Sequence, residues 1–212
     1  MMKLYSTDWS PWVRKVRIAA IERGIDDQIE LIPANIGFAD KTLKTVESDL
    51  VKYNPSGRVP TLVTQDGNYI FDSTVIVHYL DEIGDSESII PRDIDKKIYS
   101  LKINALVDEV IDSLRHITFE NKKDISLRLP DWMEALDKKV RRGIDVLKEE
   151  FKNFSSKDVS VLNLADISLI ILLGSIKRNP NSIYKNLSVQ LDTWYEEMQD
   201  RVSVKDTNPP CL

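Results

Sequence analysis

"VPTLVTQDGNYIFDSTVIVHYLDEI", from Val59 to Ile83, changes its period halfway. Thr61 to Thr64 and Tyr69 to Phe71 are strand-like, and Asp66-Gly67 stands between them, so the spacing predicts a β-hairpin. From Ser73 onward, Val75, Ile76, Tyr79, Leu80 and Ile83 recur at helical spacing. The β-branched residues pull weakly toward strand, but the period and the following Gly84 select a helix.

Upstream, the same switching repeats. "KLYS" (3–6) and "QIELIPA" (28–34) have strand character. Between them, Pro11 to Arg23 is helical, with Val13, Val16 and Ala20 on one side and Gly24 at the position that ends a helix. "FADKTLKTVESDLVKY" (38–53) is a weaker, polar helical segment, and "NPSG" (54–57) is turn-rich. The order strand, helix, strand, helix, strand, strand, helix predicts an α/β layer on a mixed sheet.

Downstream, "GDSESIIPRD" (84–93) breaks the pattern, and the chain beyond it reads as helical. Long helices are predicted in "DIDKKIYSLKINALVDEVIDSLRHITFE" (93–120) and after Pro130, which suits a first-turn position. "NLADISLIILLGSIKR" (163–178) opens with Asn163 and Asp166, spaced as a capping box. Its run Ile167, Leu169 to Leu173 is apolar nearly all round, as a central buried helix should be. One more helix falls in 181–199, and the tail "DRVSVKDTNPPCL" (200–212) reads as irregular. Two domains are expected: an α/β domain over 1–84 and an all-helical domain over 85–212.

The totals limit the function. A net charge of −5 gives no broad basic face for nucleic acid. The single cysteine, Cys211, cannot form an internal disulfide and sits outside a prenylation box, which favours the reducing cytoplasm. The stretch Ile167 to Ile176 is too short to span a bilayer, and the N-terminus lacks a signal-peptide core. His78, His116 and the tail cysteine give no metal-ligand spacing, and the two histidines read as structural.

Three loop junctions carry the chemistry. In "STDWSPWVRKVR" (6–17), Ser10-Pro11 is a strong helix start, with Ser as cap and Pro at the first helical position. Arg14, Lys15 and Arg17 follow, where cations oppose the helix dipole, so they either attract an anion or face solvent. Trp9 and Trp12 flank the serine and can wall a pocket. A serine that accepts from helix N–H groups retains a donor hydrogen. A thiolate at that donor, near the positive helix end, would have a lowered pKa. In "NPSGRVPTL" (54–62), Val59-Pro60 before a strand is a rigid turn or a cis bond; Val59 would offer its backbone to a peptide and Arg58 a cation to a carboxylate. In "FDSTV" (71–75), Asp72 and Ser73 either cap the next helix or hold the amino and carboxylate groups of a ligand.

In their order and spacing these pieces resemble the cytosolic glutathione transferases, closest to the bacterial and serine-using members. "LYSTDWSPWVRKVRIAA" is similar to that family's first strand and helix, "NPSGRVPTL" to its cis-proline turn, "DS" at Asp72-Ser73 to its acidic-Ser pair, and "NLADIS" to its capping-box helix. The resemblance implies a thioredoxin-like N-terminal domain followed by a helical-bundle C-terminal domain. It implies a cytoplasmic homodimer serving detoxification, with glutathione as co-substrate. Ser10 would activate the sulfur, and Arg58, Val59, Pro60, Asp72 and Ser73 would bind the peptide. A small hydrophobic electrophile would occupy an apolar cleft lined by residues such as Trp12, Tyr99, Ile103 and His116. No cysteine lies in the first helix, so a thiol redox cycle is unsupported. Tyr5 falls slightly early for a catalytic tyrosine, and Asp8 would oppose a thiolate if it faced the site. Two other functions stay open: a non-catalytic binding or regulatory protein of this fold, and a glutathione-dependent isomerase. Ser10-Pro11-Trp12, in place of Ser-Ser-Cys, weighs against maleylacetoacetate isomerisation.

Overall fold

The computed structural model describes residues 1–34, 49–154, 160–178, 182–184 and 187–210, without the side chains of 152–154. Most of the polar helix expected over 38–53, and Cys211, lie outside the described residues. The chain divides into two compact units, Met1–Ile90 with Arg201–Leu212, and Pro91–Asp200.

Among the described residues the first unit holds a four-stranded sheet packed with helices. Strand β1 (Met2–Ser6) leads into α1 (Pro11–Glu22) and then β2 (Ile29–Pro33); β3 (Thr61–Val63) and β4 (Tyr69–Ile70) form the hairpin, and α2 (Ser73–Ile83) follows. The spatial order is β2-β1-β3-β4. Parallel neighbours need a crossover, which α1 supplies between β1 and β2. The other two pairings are antiparallel. This is the thioredoxin-like layer, and α1 and α2 pack against one another in it. Leu4, Val16, Ile18, Leu62, Ile76 and Leu80 have no exposed surface and form its core.

The end of α1 follows from Gly24. At φ +68° it takes the left-handed conformation at C′. Its N–H then donates to the Ile21 carbonyl at 3.0 Å and the Ile25 N–H to the Ala20 carbonyl at 3.0 Å, the two bonds of a Schellman motif. Gly84 ends α2 differently, with extended backbone. Here the missing side chain matters, since a Cβ would stand 2.6 Å from Cβ of Arg23. The Arg23 guanidinium donates to the carbonyls of Asp81 (3.0 Å) and Gly84. Its Nε lies 3.3 Å from the Asp81 carboxylate, with both side chains buried. Asp81 also accepts from Ser88 Oγ at 2.7 Å and from the Ile89 N–H at 2.8 Å. This polar knot ties residues 84–90 to the first unit, past the boundary expected after Gly84.

The second unit holds α3 (Ile94–Lys122), α4 (Pro130–Phe154), α5 (Leu164–Arg178) and α6 (Val189–Met198). α3 packs on α4 and on α5. From Leu164 through Gly174 every residue of α5 is buried, as its continuous apolar run requires. A helix start buried this deeply needs internal partners. The Asp166 carboxylate accepts from the Asn163 N–H at 2.9 Å, while Asn163 Oδ1 accepts from the N–H groups of Ala165 (2.8 Å) and Asp166 (3.3 Å). Ser100 of α3 adds a second acceptor for Ala165 N–H at 3.1 Å. The capping box read from the sequence is therefore formed, with support from a neighbouring helix.

The tail corrects one expectation. It is not wholly irregular: Val202–Lys205 form a short helix, α7, and this segment belongs to the first unit.

Candidate functional site

The sheet register gathers the three junctions at one end of the first unit. Tyr5 pairs with Thr61, and Leu62 pairs with Ile70. The residues just past these pairs, Ser6-Thr7, Val59-Pro60 and Phe71-Asp72, therefore leave the sheet at the same end. That end is the carboxyl end of β1, where open α/β sheets place ligands.

Ser10 is 3% exposed and caps α1. Its Oγ accepts from the Val13 N–H at 3.3 Å, and its carbonyl accepts from the Arg14 N–H at 3.0 Å. Capping uses the hydroxyl as acceptor; its own hydrogen meets no acceptor among the described residues. The oxygen thus sits at the positive end of a helix with a donor left for a ligand. Asp8, two residues earlier, is exposed.

The Val59-Pro60 bond is cis. Val59 is buried in one cluster with Val13, Ala34 and Leu50, and Tyr5 packs against it. That cluster joins the first turn of α1 directly to the proline turn. Asn54, which sequence reading passed over, fixes the turn from inside. It is 2% exposed; its Nδ2 donates to the Arg58 carbonyl and to Thr61 Oγ1, each at 3.0 Å. Its Oδ1 accepts from the Ser56 N–H and hydroxyl. Thr61 Oγ1 in turn donates to the Arg58 carbonyl at 2.9 Å. The signal was present, since asparagine at the head of a turn bonds backbone two residues on. Arg58 itself projects an exposed side chain.

Asp72 caps α2, its Oδ1 accepting from the N–H groups of Thr74 (3.0 Å) and Val75 (3.3 Å). It is exposed, whereas Ser73 is buried. Capping is thus present at this junction as at Ser10. Tyr5 lies with its ring 5.5 Å from that of Tyr53, and burial first, then Tyr53, raises its pKa. Those surroundings hold the Tyr5 phenol protonated rather than activated.

The basic run corrects a second expectation. Arg14 and Lys15 neither face solvent nor stand free for an anion: Arg14 is 3% exposed and Lys15 fully buried. The Arg14 guanidinium donates to the Val204 carbonyl at 3.2 Å and to Asn208 Oδ1 at 2.6 Å. Arg17 donates to the Asp206 carbonyl at 3.2 Å.

The residues expected in the apolar cleft fall on separate units, and each has a definite local setting. Trp12 is partly buried in the first turn of α1. In the second unit, the Tyr99 hydroxyl donates to the Glu150 carboxylate at 2.7 Å, and Lys102 holds the same carboxylate at 2.8 Å. Ile103 is 1% exposed within α3. His116 lies 3.4 Å from Asp112 on the outer part of α3. Among the described residues no three His, Cys, Asp or Glu side chains converge as metal ligands, and no helix is long and apolar enough to cross a membrane.

Comparison with known proteins gives a consistent result. The family model for the glutathione S-transferase N-terminal domain matches residues 9–83. The uncharacterised GST-like protein YibF of Escherichia coli is 30% identical over 82% of this chain and 81% of its own length. A probable maleylacetoacetate isomerase of Caenorhabditis elegans is 28% identical over 82% of this chain and 78% of its own. A glutathione transferase family member from Pseudomonas fluorescens Pf-5, crystallised with bound glutathione, superposes with a TM-score of 0.89 at 27% identity, covering 99% of this chain and 100% of that one. With the thioredoxin-like sheet followed by a helical unit, these likenesses show that the chain belongs to the cytosolic glutathione transferase family.

Proposed function

We propose that the protein binds glutathione at the sheet end described above and transfers it to a small apolar electrophile. The observation that carries this reading is Ser10: a buried capping hydroxyl at the start of α1 with its hydrogen still to give. Donated to the sulfur of glutathione, that hydrogen stabilises the thiolate, and the helix end adds its positive potential. The thiolate is the nucleophile; it attacks an electrophilic carbon, forms the carbon–sulfur bond and displaces the leaving group, or adds across an activated double bond. The backbone of Val59, beside cis Pro60, pairs with the peptide. Arg58 attracts a carboxylate. At the head of α2 the Ser73 hydroxyl and the positive helix end take the γ-glutamyl carboxylate, and Asp72 the amino group. This grip supplies proximity as well as activation. Glutathione bound in the Pseudomonas fluorescens structure supports the choice of ligand.

Trp12, Tyr99, Ile103 and His116 are the residues to test for contact with the electrophile. The protein acts as a homodimer in the reducing cytoplasm. The exposed aromatic pair Tyr69 and Phe71, stacked at 6.5 Å and 4°, supports self-association. Steady-state kinetics at several pH values test the assignment. Ser10→Ala should lower turnover by about 10- to 100-fold, the scale of one hydrogen bond to a charged group, with a much smaller change in glutathione affinity. Unchanged turnover would remove Ser10 from the chemistry.

Likeness to the Caenorhabditis elegans probable isomerase favours a second reading, in which the same thiolate adds to a double bond and later leaves. Recovery of free glutathione with a rearranged product would select isomerisation; a stable conjugate would select transfer.

A further inference from the structure

The closing segment runs along α1 in the reverse direction, bonded to it at the far end, in the middle and in the turn that follows Ser10. At the far end of α1, Glu22 accepts from Arg201 Nε at 2.7 Å and Nη2 at 2.5 Å, and from the Ser203 hydroxyl. In the middle, Arg17 reaches the Asp206 carbonyl. Nearest Ser10, Arg14 reaches the Val204 carbonyl, Thr207 Oγ1 at 3.5 Å and Asn208 Oδ1 at 2.6 Å. Thr207 is itself 2% exposed and donates to the Ser203 carbonyl at 2.7 Å, so the segment is held in its own short helix while it holds Arg14.

Arg14 joins these two structures. Its backbone N–H donates to the Ser10 carbonyl, closing the first helical turn. Its guanidinium is buried among acceptors of the closing segment. A charge at 3% exposure is tolerated only when hydrogen-bonded, so this contact is a strong constraint on where the turn lies. Arginine in the first turn is also unfavourable for the helix dipole, so its contacts with the closing segment, rather than helix propensity, account for it.

We propose that Arg14 is a positioning residue: anchored by residues 204–208, it fixes the first turn of α1 so that the Ser10 hydroxyl points at the sulfur. This rests on the Ser10 reading above. The mechanism is second-hand but specific. Loosening the anchor allows the first turn to shift, and a donor displaced from the sulfur stabilises the thiolate less. The segment that closes the chain is thereby part of the activating apparatus, although it supplies no group to glutathione.

The readout is the pKa of the bound glutathione thiol, followed through the ultraviolet absorbance of the thiolate at saturating ligand. Three variants are compared: Ser10→Ala, Arg14→Met and Asn208→Ala. Arg14→Met keeps the length of the stem; Asn208→Ala removes only the 2.6 Å contact and leaves the guanidinium in place. Both anchor variants should raise the thiol pKa by about 0.5 unit or more while glutathione affinity changes less, and Ser10→Ala should raise it furthest. A residue that only supported the fold would lower the melting temperature and leave the thiol of the bound ligand unmoved. If Ser10→Ala raises the pKa and the anchor variants do not, the positioning role is overturned and the Ser10 reading stands. If Ser10→Ala leaves it unmoved, both are overturned. Should Arg14→Met fail to fold, Asn208→Ala decides by the same criterion.

Discussion

The side-chain amide of Asn54 and the hydroxyl of Thr61 meet at 3.0 Å in the interior, where both residues are almost wholly buried. Each also donates to the Arg58 carbonyl, so two side chains converge on the backbone that precedes the cis proline. The turn expected to meet the peptide is thus held from below, by groups that never reach a ligand.

Asn54→Ala removes the two Asn54 donations and the acceptor for Ser56, leaving only Thr61 on the Arg58 carbonyl. The expected cost is about 2 kcal/mol of stability, measured by urea denaturation. Glutathione affinity should fall about tenfold, equivalent to about 1.4 kcal/mol, with a smaller change in turnover at saturation. A folded variant that binds glutathione with unchanged affinity in calorimetry would show that the turn is not part of the site.

Gly143 on α4 faces Val110 on α3 so closely that an added Cβ would stand 2.4 Å from Cγ2 of Val110. Alanine should gain up to about 1 kcal/mol in helix propensity but lose about 1–3 kcal/mol to overpacking. The steric loss wins because the neighbour is a buried, β-branched side chain with few rotamers. Gly143→Ala is therefore expected to lower the denaturation midpoint. Combining it with Val110→Ala should cost less than the two single changes added together. Strict additivity would mean that the helices do not meet at this point.

Glu150 and Tyr99 give the helical unit a pH signature. The hydrogen bond from Lys102, then that from Tyr99, holds the Glu150 carboxyl below its ordinary range. Its contribution to stability is present above the unfolded carboxyl pKa and is lost as pH falls through the folded value. Burial, then the bond to Glu150, raises the Tyr99 phenol. Its contribution is present below the unfolded pKa of about 10 and is lost as pH rises through the folded value. Denaturation across a pH series should show Glu150→Gln flattening the acid limb and Tyr99→Phe flattening the alkaline limb. Parallel curves for wild type and both variants would contradict the assignment.

The elements were legible where one period dominated. The hairpin around Asp66-Gly67, the helix ending at Gly24 and the Asn163–Asp166 cap each rest on local chemistry, and each stands where its residues predict. The turns flanking the hairpin mark two of the three junctions, and the Ser10-Pro11 helix start marks the third. Their convergence was not legible, because it depends on which strands pair and in what register. Arg14 shows the limit most clearly. Its misfit to the helix dipole could be read from the sequence, but its acceptors lie 190 or more positions away, at Val204 and Asn208. A buried cation and a ligand-attracting cation look alike until the fold supplies the partners. The short helix at Val202–Lys205 was missed for a related reason: a single turn has little periodicity of its own and is held by contacts with α1.

The most direct measurement is a crystal structure of the protein with glutathione bound. The account predicts the sulfur within hydrogen-bond reach of Ser10 Oγ, on the donor side left open by the bond from Val13. A sulfur held by another group, with the Ser10 hydroxyl directed back into the protein, would contradict it.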